Sequence, residues 1–271
     1  TSNPLIIING KDQWFGGQDG LMVLSNMISC SGCIEKVFQP IISNEDSSGI
    51  VDVYSDSSNL YLIGQSWTDS ESKVFLYTLD SNLKVTNKSE LFDGLAGMPL
   101  WGNNKFYISS YDGLYSFDFQ GNMLWKYTDE QAANDNMTLA FDYLQESNGT
   151  LFALEKPWLC TLSVIVDQFD LSGNLVKKIE IDEFPNPEGY SGVVASTNMI
   201  KIDSKLLINY TICDGEDVMG YVVLNENCDK IFKSGESYMD TSNPILVDNK
   251  SIYFQDYIGG EPYRFIQGKL R

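Results

Sequence analysis

The stretch Phe106–Tyr127, FYISSYDGLYSFDFQGNMLWKY, decides the fold class of this chain. Its aromatic and aliphatic runs are short, and clusters of Asp, Gly, Gln and Asn separate them. Short apolar runs bounded by such turn residues are typical of β-strands joined as hairpins. The stretch therefore predicts three antiparallel strands, with tight turns at Tyr111–Gly113 and Asp118–Asn122.

The same order of strands and turns returns along the chain. It is clear at 60–89 and 151–181, and weaker at 13–39, 206–224 and 252–267. One more apolar segment precedes each copy, and these six segments are Leu5–Ile8, Ile50–Tyr54, Met98–Trp101, Ala140–Leu144, Asn198–Ile202 and Pro244–Val247. Six units of four strands in 271 residues give a period of about 45, which is within the range of β-propeller blades.

We therefore predict an all-β protein: a six-bladed β-propeller of four-stranded antiparallel blades, with residues 1–271 as a single domain. No α-helix longer than two turns is expected, and Asp129–Asn136 forms one helical turn at most. The alternative fold is a pair of β-sandwiches, which would not require the same strand order to return at one period.

The segment Tyr107–Trp125 resembles the repeat of the pyrroloquinoline-quinone-like (quinoprotein-like) propellers. The segment Phe169-Asp-Leu-Ser-Gly-Asn-Leu175 is similar but lacks the terminal Trp. This resemblance implies the fold and not the chemistry. The quinone dehydrogenases of that superfamily have more blades and an adjacent Cys-Cys pair, which this sequence lacks. No quinone and no other cofactor is therefore expected.

The chain ends lead to an expectation about the last blade. After Tyr263–Gln267, the segment Gly268–Arg271 is too short to lay down another strand, and Thr1–Pro4 is too short at the other end. We expect a last blade of three strands unless residues upstream of Thr1 complete it. Basic residues beside its exposed edge disfavour pairing with a neighbouring chain, so a monomer is expected.

Charge and composition exclude several classes of function. The net charge is −19, so nucleic-acid phosphates and anionic lipid headgroups are repelled. No apolar run is long enough to cross a bilayer. The absence of histidine removes Ser-His-Asp and Cys-His catalysis and every metal site that needs an imidazole. We expect a secreted or cell-surface protein, with five sequons as glycan acceptors in a eukaryotic secretory pathway: Asn87, Asn136, Asn148, Asn209 and Asn249.

Five cysteines are too few and too scattered for a disulfide scaffold. Cys30 and Cys33 fall at a predicted turn between a third and a fourth strand, so we expect a local disulfide rather than a redox or zinc motif. Cys228 is expected to stay free. Cys160 and Cys213 lie on one face of neighbouring blades and are the only candidates for a long-range bridge.

The candidate ligand site is the face that carries the loops between the second and third strands, b and c, of each blade. These loops are Gly16–Gly20, Gln65–Ser72, Ser110–Gly113, Glu155–Cys160, Cys213–Met219 and Asp256–Pro262. Aromatic side chains beside carboxylates suit a sugar ring or a cationic group. The candidate residues are Trp67, Asp69, Tyr111, Asp112, Glu155, Trp158, Asp214, Glu216, Asp217, Asp256 and Tyr257. The alternative is that the two tryptophans only cover the core.

Two other groups of acidic residues have a regular place in the repeat. The turns Asp118–Asn122 and Asp170–Asn174 have too few carboxylates for a calcium loop, so they are interpreted as structural turns and no metal is expected. Asp52, Asp142 and Asp203 fall on or beside the innermost strands, where carboxylates could line the central channel.

The favoured function is therefore a binding or scaffold module for a protein or a glycan, without catalytic residues. The alternative is a carbohydrate-active enzyme, a glycoside hydrolase or lyase, using channel carboxylates as acid and base.

Overall fold

We describe the protein from a computed structural model. The structure describes residues 5–9, 20–24, 36–38, 47–56, 59–67, 70–80, 84–102, 104–128, 139–156, 163–181, 194–202, 205–212, 218–225, 230–233, 241–248, 251–256 and 264–269. All regular structure within these ranges is β-strand. No helix in them is long and apolar enough to span a membrane. The chain divides into two compact units, Thr1–Ala140 and Phe141–Arg271.

Unit 1, Thr1–Ala140, contains three antiparallel sheets. Its strands are β1 (Leu5–Asn9), β2 (Gly20–Leu24), β3 (Lys36–Phe38), β4 (Ser47–Ser55), β5 (Leu60–Trp67), β6 (Ser72–Leu79), β7 (Val85–Asp93), β8 (Leu100–Trp101), β9 (Lys105–Ser110), β10 (Gly113–Asp118) and β11 (Met123–Thr128). Neighbours along the chain pair with each other, which gives the orders β1-β2-β3, β4-β5-β6-β7 and β8-β9-β10-β11.

Unit 2, Phe141–Arg271, repeats this plan. Its strands are β12 (Phe141–Ser147), β13 (Thr150–Glu155), β14 (Val164–Asp170), β15 (Leu175–Ile181), β16 (Val194–Ile202), β17 (Lys205–Ile212), β18 (Val218–Leu224), β19 (Lys230–Lys233), β20 (Thr241–Asp248), β21 (Ser251–Asp256) and β22 (Arg264–Lys269). The sheets are β12-β13-β14-β15, β16-β17-β18-β19 and β20-β21-β22.

The sequence of each strand matches its place in its sheet. The third strand β6 buries every residue from Val74 to Leu79, because side chains on both of its faces pack against neighbours. The fourth strand β11 is open on its outer edge, and its residues are exposed or half-exposed throughout. An inner strand can therefore be told from the outer strand that follows it in sequence, because the inner strand is continuously apolar and the outer strand is more polar.

Each unit has a core between two of its sheets. In unit 1 the buried side chains of sheet β4–β7 pack against those of sheet β8–β11, and the ring of Phe92 stacks on Tyr115 with 4.7 Å between centroids. In unit 2 Leu154 and Val166 of sheet β12–β15 share a core with Ile208 of sheet β16–β19. Such face-to-face packing of successive sheets is what radial repetition requires.

Turns between third and fourth strands are built by their own side chains. The Asp118 carboxylate accepts hydrogen bonds from the backbone N–H groups of Gln120 (2.9 Å) and Asn122 (2.8 Å), and Gly121 has a φ of +86°. Asp170 accepts the same bonds from Ser172 (2.8 Å) and Asn174 (2.9 Å). These carboxylates bind their own turn, which agrees with the structural interpretation of both segments.

The structure corrects several predicted boundaries. Residues 65–67, predicted as the start of a loop, continue β5, and Ser72 already begins β6. Met98, predicted to begin an innermost strand, precedes β8, which spans only Leu100–Trp101. β5 extends to Trp67 because Ser47 and Ser72 pair with it on its two sides, and β8 is short because only Leu100 and Trp101 pair with β9.

The first unit of the sequence also differs from its prediction. Because Gly16–Gly20 is predicted as a b–c loop, the sequence predicts a second strand at Gln13–Phe15 before it and a third strand at Leu21–Ser25 after it. In the structure β1 pairs directly with β2, with Leu5 opposite Leu24. The segment Gln13–Phe15 lies outside the described residues, as do Asp129–Asn136 and all five cysteines. The last sheet has three strands among the described residues.

Candidate functional site

The b–c end of a sheet is the end at which its second strand turns into its third. Unit 1 has two such ends side by side, at the turn from β5 to β6 and at the turn from β9 to β10, because the two sheets share one core. The connection from β7 to β8 also lies at this end. The Gly94 N–H donates to the Ser72 carbonyl (2.7 Å), and the Gly97 N–H donates to the Ser109 carbonyl (2.9 Å).

The side chain of Gln65 holds the connection from β7 to β8 in place through hydrogen bonds. The side chain is 2% exposed. Its Nε2 donates to Ser72 Oγ (2.7 Å) and to the Gly94 carbonyl (3.1 Å), while its Oε1 accepts from the Ala96 N–H (3.3 Å). Ser72 Oγ also donates to the Gly94 carbonyl (2.9 Å). A buried amide with its donors and acceptor satisfied holds the backbone at residues 94–96 in one position.

Tyr111 is a predicted site residue that the structure places at this end. It occupies the two-residue turn Tyr111–Asp112 between β9 and β10, and its side chain is half-buried. A Cβ atom added to Gly94 would lie 2.9 Å from Tyr111 Cε2, and Gly94 has a φ of +131°. Only glycine therefore leaves room for this ring against the connection.

Asp112, the second residue of that turn, is already engaged. Tyr115 Oη donates to Asp112 Oδ1 (2.8 Å), and Lys126 Nζ forms an ion pair with Oδ2 (2.6 Å). The ammonium of Lys126 also lies 4.9 Å from the centroid of the Tyr115 ring. Burial lowers the pKa of Lys126, but the bonds to Asp112 and Tyr115 raise it more, so the net shift is upward. Asp112 thus braces the hairpin through both carboxylate oxygens.

Trp67 lies at the other b–c end of unit 1, at the end of β5. It is the last residue of the strand, pairs with Ser72 across the hairpin and is half-exposed. The prediction that it belongs to a loop was wrong, but its place at the b–c end holds. Asp69 lies outside the described residues, and the following Glu71 is exposed.

In unit 2 the predicted site residue Glu155 ends β13 rather than opening a loop, and it pairs with Lys178 at 2.5 Å. Asp142 on β12 pairs with Lys156 at 3.3 Å. Burial raises the pKa of Asp142, and the neighbouring Lys156 offsets only part of that shift.

The carboxylate expected to line a channel in unit 1 has a structural bond. Asp52 on β4 accepts a hydrogen bond from Trp101 Nε1 on β8 (2.8 Å), and Trp101 stacks on Tyr54 with 5.3 Å between ring centroids. Asp52 therefore links the innermost strands of two sheets.

The other predicted residues are not placed. Asp203, Trp158, Asp214, Glu216, Asp217 and Tyr257 lie outside the described residues. Asp256 ends β21, and only its backbone is described. Among the described residues, no group of three or more His, Cys, Asp or Glu side chains is arranged to hold a metal ion.

Sequence reasoning missed two residues at the b–c end. Gln65 was assigned to a loop, although it is buried and bonded to a segment about thirty residues later. Met98 is predicted in an innermost strand, although it is 60% exposed on the connection that starts at Gly94, where the Tyr111 ring lies. The Gly-Leu-Ala-Gly-Met segment at 94–98, with two glycines around small apolar residues, is the signal that could have identified this connection.

Comparison with known proteins concerns the fold alone. No protein-family model and no curated protein matches the chain. Among solved structures it is similar to the periplasmic gluconolactonase PpgL of Pseudomonas aeruginosa, with a TM-score of 0.55, 8% identity, and coverage of 93% of this chain and 74% of that one.

Two further matches are weaker. The Pan2 WD40 domain of Neurospora crassa has a TM-score of 0.46 at 10% identity, with 80% of this chain and 60% of that one covered. The quinohemoprotein alcohol dehydrogenase ADHIIG of Pseudomonas putida HK5 has a TM-score of 0.45 at 11% identity, with 75% and 38% covered. The chain thus spans less than two thirds of the length of these two chains. It is an all-β protein of repeated antiparallel sheets, of the β-propeller type at the level of fold.

Proposed function

We propose that this chain is a β-propeller recognition module that binds a protein or a glycan with the b–c ends of its sheets. The observation that carries the proposal is the pair Trp67 and Tyr111. Both side chains are half-exposed at b–c ends of unit 1: Trp67 ends β5, and Tyr111 occupies the turn between β9 and β10. Gln65, two residues before Trp67, bonds the backbone at Gly94 and Ala96, and the Tyr111 ring lies against Gly94. Rigid aromatic rings lose little conformational entropy on binding and supply large contact areas.

The ion pairs at the b–c ends favour recognition over catalysis. Asp112 and Glu155 are each matched with a lysine, so these carboxylates rigidify hairpins instead of standing free as an acid and a base. A glycosidase needs two carboxyl groups roughly 5–10 Å apart across the scissile bond.

The test is a binding screen with matched variants. The purified chain is screened against an array of glycans, and the Trp67→Ala and Tyr111→Ala variants are compared on any glycan that binds. We expect at least about a tenfold loss of affinity for each, as for an aromatic hot spot. Leu124→Ala, on the outer strand β11 where Leu124 is 50% exposed, is the control and should bind normally. Full binding by both aromatic variants would place the site elsewhere.

The overall arrangement belongs to the same proposal. We infer that the six sheets are the blades of one ring in a monomeric, secreted or cell-surface protein. The supports are the repeated strand order within each unit, the acidic composition and the five sequons. An experimental structure would test the number of blades, and light scattering would test whether the protein is a monomer. Localising the protein in its own cells would test whether it is secreted or held at the cell surface.

A carbohydrate-active enzyme is the second candidate, and one observation favours it. The raised pKa of the partly buried Asp142 is a property of catalytic acids. Release of reducing ends from the arrayed glycans, abolished by Asp142→Asn and retained by Trp67→Ala, would support catalysis. Binding without release would support recognition alone.

A further inference from the structure

The connection Gly94–Met98, called the ledge below, presents apolar surface at the b–c end of unit 1. Met98 is 60% exposed, and Leu95 and Ala96 are half-exposed. A Cβ atom on Gly97 would lie 3.2 Å from Leu139 Cδ1, so the Leu139 side chain packs against the ledge at Gly97. The ledge is not a floppy loop, because Gln65, Ser72 and Ser109 bond its backbone at three residues. A fixed backbone therefore displays an adaptable methionine side chain.

Carboxylates border the ledge on the side of β6 and β7. Asp93 immediately precedes Gly94, and Glu71 immediately precedes Ser72, whose carbonyl accepts the Gly94 N–H bond. Glu90 lies on β7 near them, and Lys73 pairs with Glu90 (3.3 Å) and Asp93 (3.9 Å). Three exposed carboxylates thus surround one lysine, which leaves this border negative in a chain of net charge −19.

We propose that the ledge docks a basic segment of a partner protein, with an apolar side chain of that segment placed against Met98 and Tyr111. Lysine or arginine side chains flanking the apolar residue pair with Glu71 and Asp93. Charge complementarity selects this occupant, because an acidic segment would be repelled by the border. The inference rests on the proposed use of the b–c ends for binding, and it names the class of partner.

The probe is a phage-displayed library of random 12-residue peptides, selected against the whole chain. We expect selected peptides to combine an apolar residue with flanking Lys or Arg. Affinity should fall at least about tenfold in Met98→Asp, as at a hot spot. The affinity for these peptides should also fall in the double variant Glu71→Gln, Asp93→Asn. In the unchanged protein the affinity should decrease as the salt concentration rises. Leu124→Asp is the matched control, since it places the same charge at a similarly exposed position on β11, and it should bind normally.

The outcomes separate the inference from the proposed function. Peptides lost in Trp67→Ala but retained in Met98→Asp would overturn the ledge as the site while keeping the b–c ends as the binding surface. If no peptide that combines basic and apolar residues is selected while a glycan binds through Trp67, the ledge is also overturned as the site and the b–c ends are kept as the binding surface. Peptides unaffected by Trp67→Ala, Tyr111→Ala and Met98→Asp would overturn both. Thermal unfolding of Met98→Asp at the same temperature as the unchanged protein excludes misfolding as the cause of a loss.

Discussion

At the scale of single residues, two buried polar side chains beside Gly94 differ in what they contact. Gln65 bonds the ledge at Gly94 and Ala96. Ser110 Oγ is buried and has no hydrogen-bond partner among the described residues, although a Cβ atom on Gly94 would lie 3.0 Å from it. A buried polar group contributes to stability only when it is bonded, and an unbonded one carries a desolvation cost.

The two residues therefore predict opposite results. Gln65→Leu leaves the Ala96 N–H without its partner and should lower the free energy of unfolding by about 2 kcal/mol. Ser110→Ala removes an unbonded hydroxyl and should change it by less than about 0.5 kcal/mol, or raise it. Urea denaturation measures both. Equal destabilisation by the two variants would contradict the network.

Gln65 also shows where sequence reasoning ends. The inner strands could be predicted because a run such as Val74–Leu79 has an apolar pattern that is legible within a few residues. Gln65 follows a glycine and is polar, which locally favours a loop. Its backbone pairs with Gly49 and Val74 within the sheet, and its buried amide is satisfied by Gly94 and Ala96, the bond to Gly94 spanning 29 residues of sequence. Met98 was misplaced for the same reason, since the Gly97–Ser109 bond that ends the connection is not local.

At the scale of elements, the outer strands of different sheets carry the same type of side chain at the same position. A lysine on the fourth strand stands opposite the same third-strand position in three sheets, and the pairs are Tyr77–Lys88, Tyr115–Lys126 and Asp167–Lys178. Lys88 lies 4.4 Å from the Phe75 ring centroid, and burial raises the pKa of Tyr77 to about 12. The aliphatic part of the lysine side chain covers apolar surface that would otherwise be exposed to solvent at the outer edge of the sheet.

Two turn glycines predict different costs for the same substitution. Gly121 has a φ of +86°, and a Cβ atom there would lie 2.4 Å from Ser89 Cβ of the neighbouring sheet. Gly149 has a φ of +77° with no atom within 4 Å of such a Cβ. Gly149→Ala should cost about 1 kcal/mol from the backbone conformation alone. Gly121→Ala should cost about 1–3 kcal/mol more, because Ser89 must move. Thermal or urea unfolding of both variants measures the difference, and equal costs would refute the close approach.

The turn aspartates predict a loss of stability in acid. Hydrogen bonds from Asn174 and Ser172 lower the pKa of Asp170. Burial alone would raise the pKa of Asp118. The hydrogen bonds from Asn122, Gln120 and Gly121 lower this pKa by more than burial raises it, so the net shift is also downward. The folded state then binds fewer protons than the unfolded state near pH 4, so this stabilisation is present above about pH 4 and is lost as the pH falls through the folded-state values.

The measurement is the free energy of unfolding between about pH 6 and pH 2. The double variant Asp118→Asn, Asp170→Asn keeps an oxygen acceptor in each turn but cannot titrate there. It should show a shallower loss with falling pH than the unchanged protein. The variant Asp93→Asn is the control, because Asp93 is exposed and its contact among the described residues is a long ion pair with Lys73 (3.9 Å). An unchanged slope in the double variant would show that the turns do not carry the effect.

At the scale of the whole molecule, net charge opposes folding. With 37 acidic and 18 basic residues, the compact chain holds like charges closer together than the unfolded chain does. The described ion pairs, such as Lys73–Glu90, neutralise a few of them at partly exposed positions. Pairs of this kind contribute little individually, so most of the repulsion remains.

Screening this repulsion should stabilise the protein. The Debye length falls from about 30 Å at 0.01 M salt to about 3 Å at 1 M. We expect the melting temperature to rise with sodium chloride over the lower part of this range. A variant with several exposed carboxylates changed to amides should start higher and rise less. A melting temperature that falls with salt in both proteins would show that ion pairs outweigh repulsion.

The Asp-turns have a consequence for engineering. The segment Asp170–Asn174 closes on itself through bonds from its own backbone and from Asn174 Nδ2 to Asp170 Oδ2 (2.8 Å). Asp118–Asn122 has the same bonds, but its second residue, Phe119, packs its ring on Tyr61 with 4.4 Å between centroids. Asp, Gly and Asn therefore form the same hydrogen-bonded frame in both turns, while Phe119 also packs on the neighbouring sheet through Tyr61 of β5. The exposed third position of the 170–174 turn, Ser172, is therefore a position where foreign sequence can be displayed without rebuilding the hairpin that carries it.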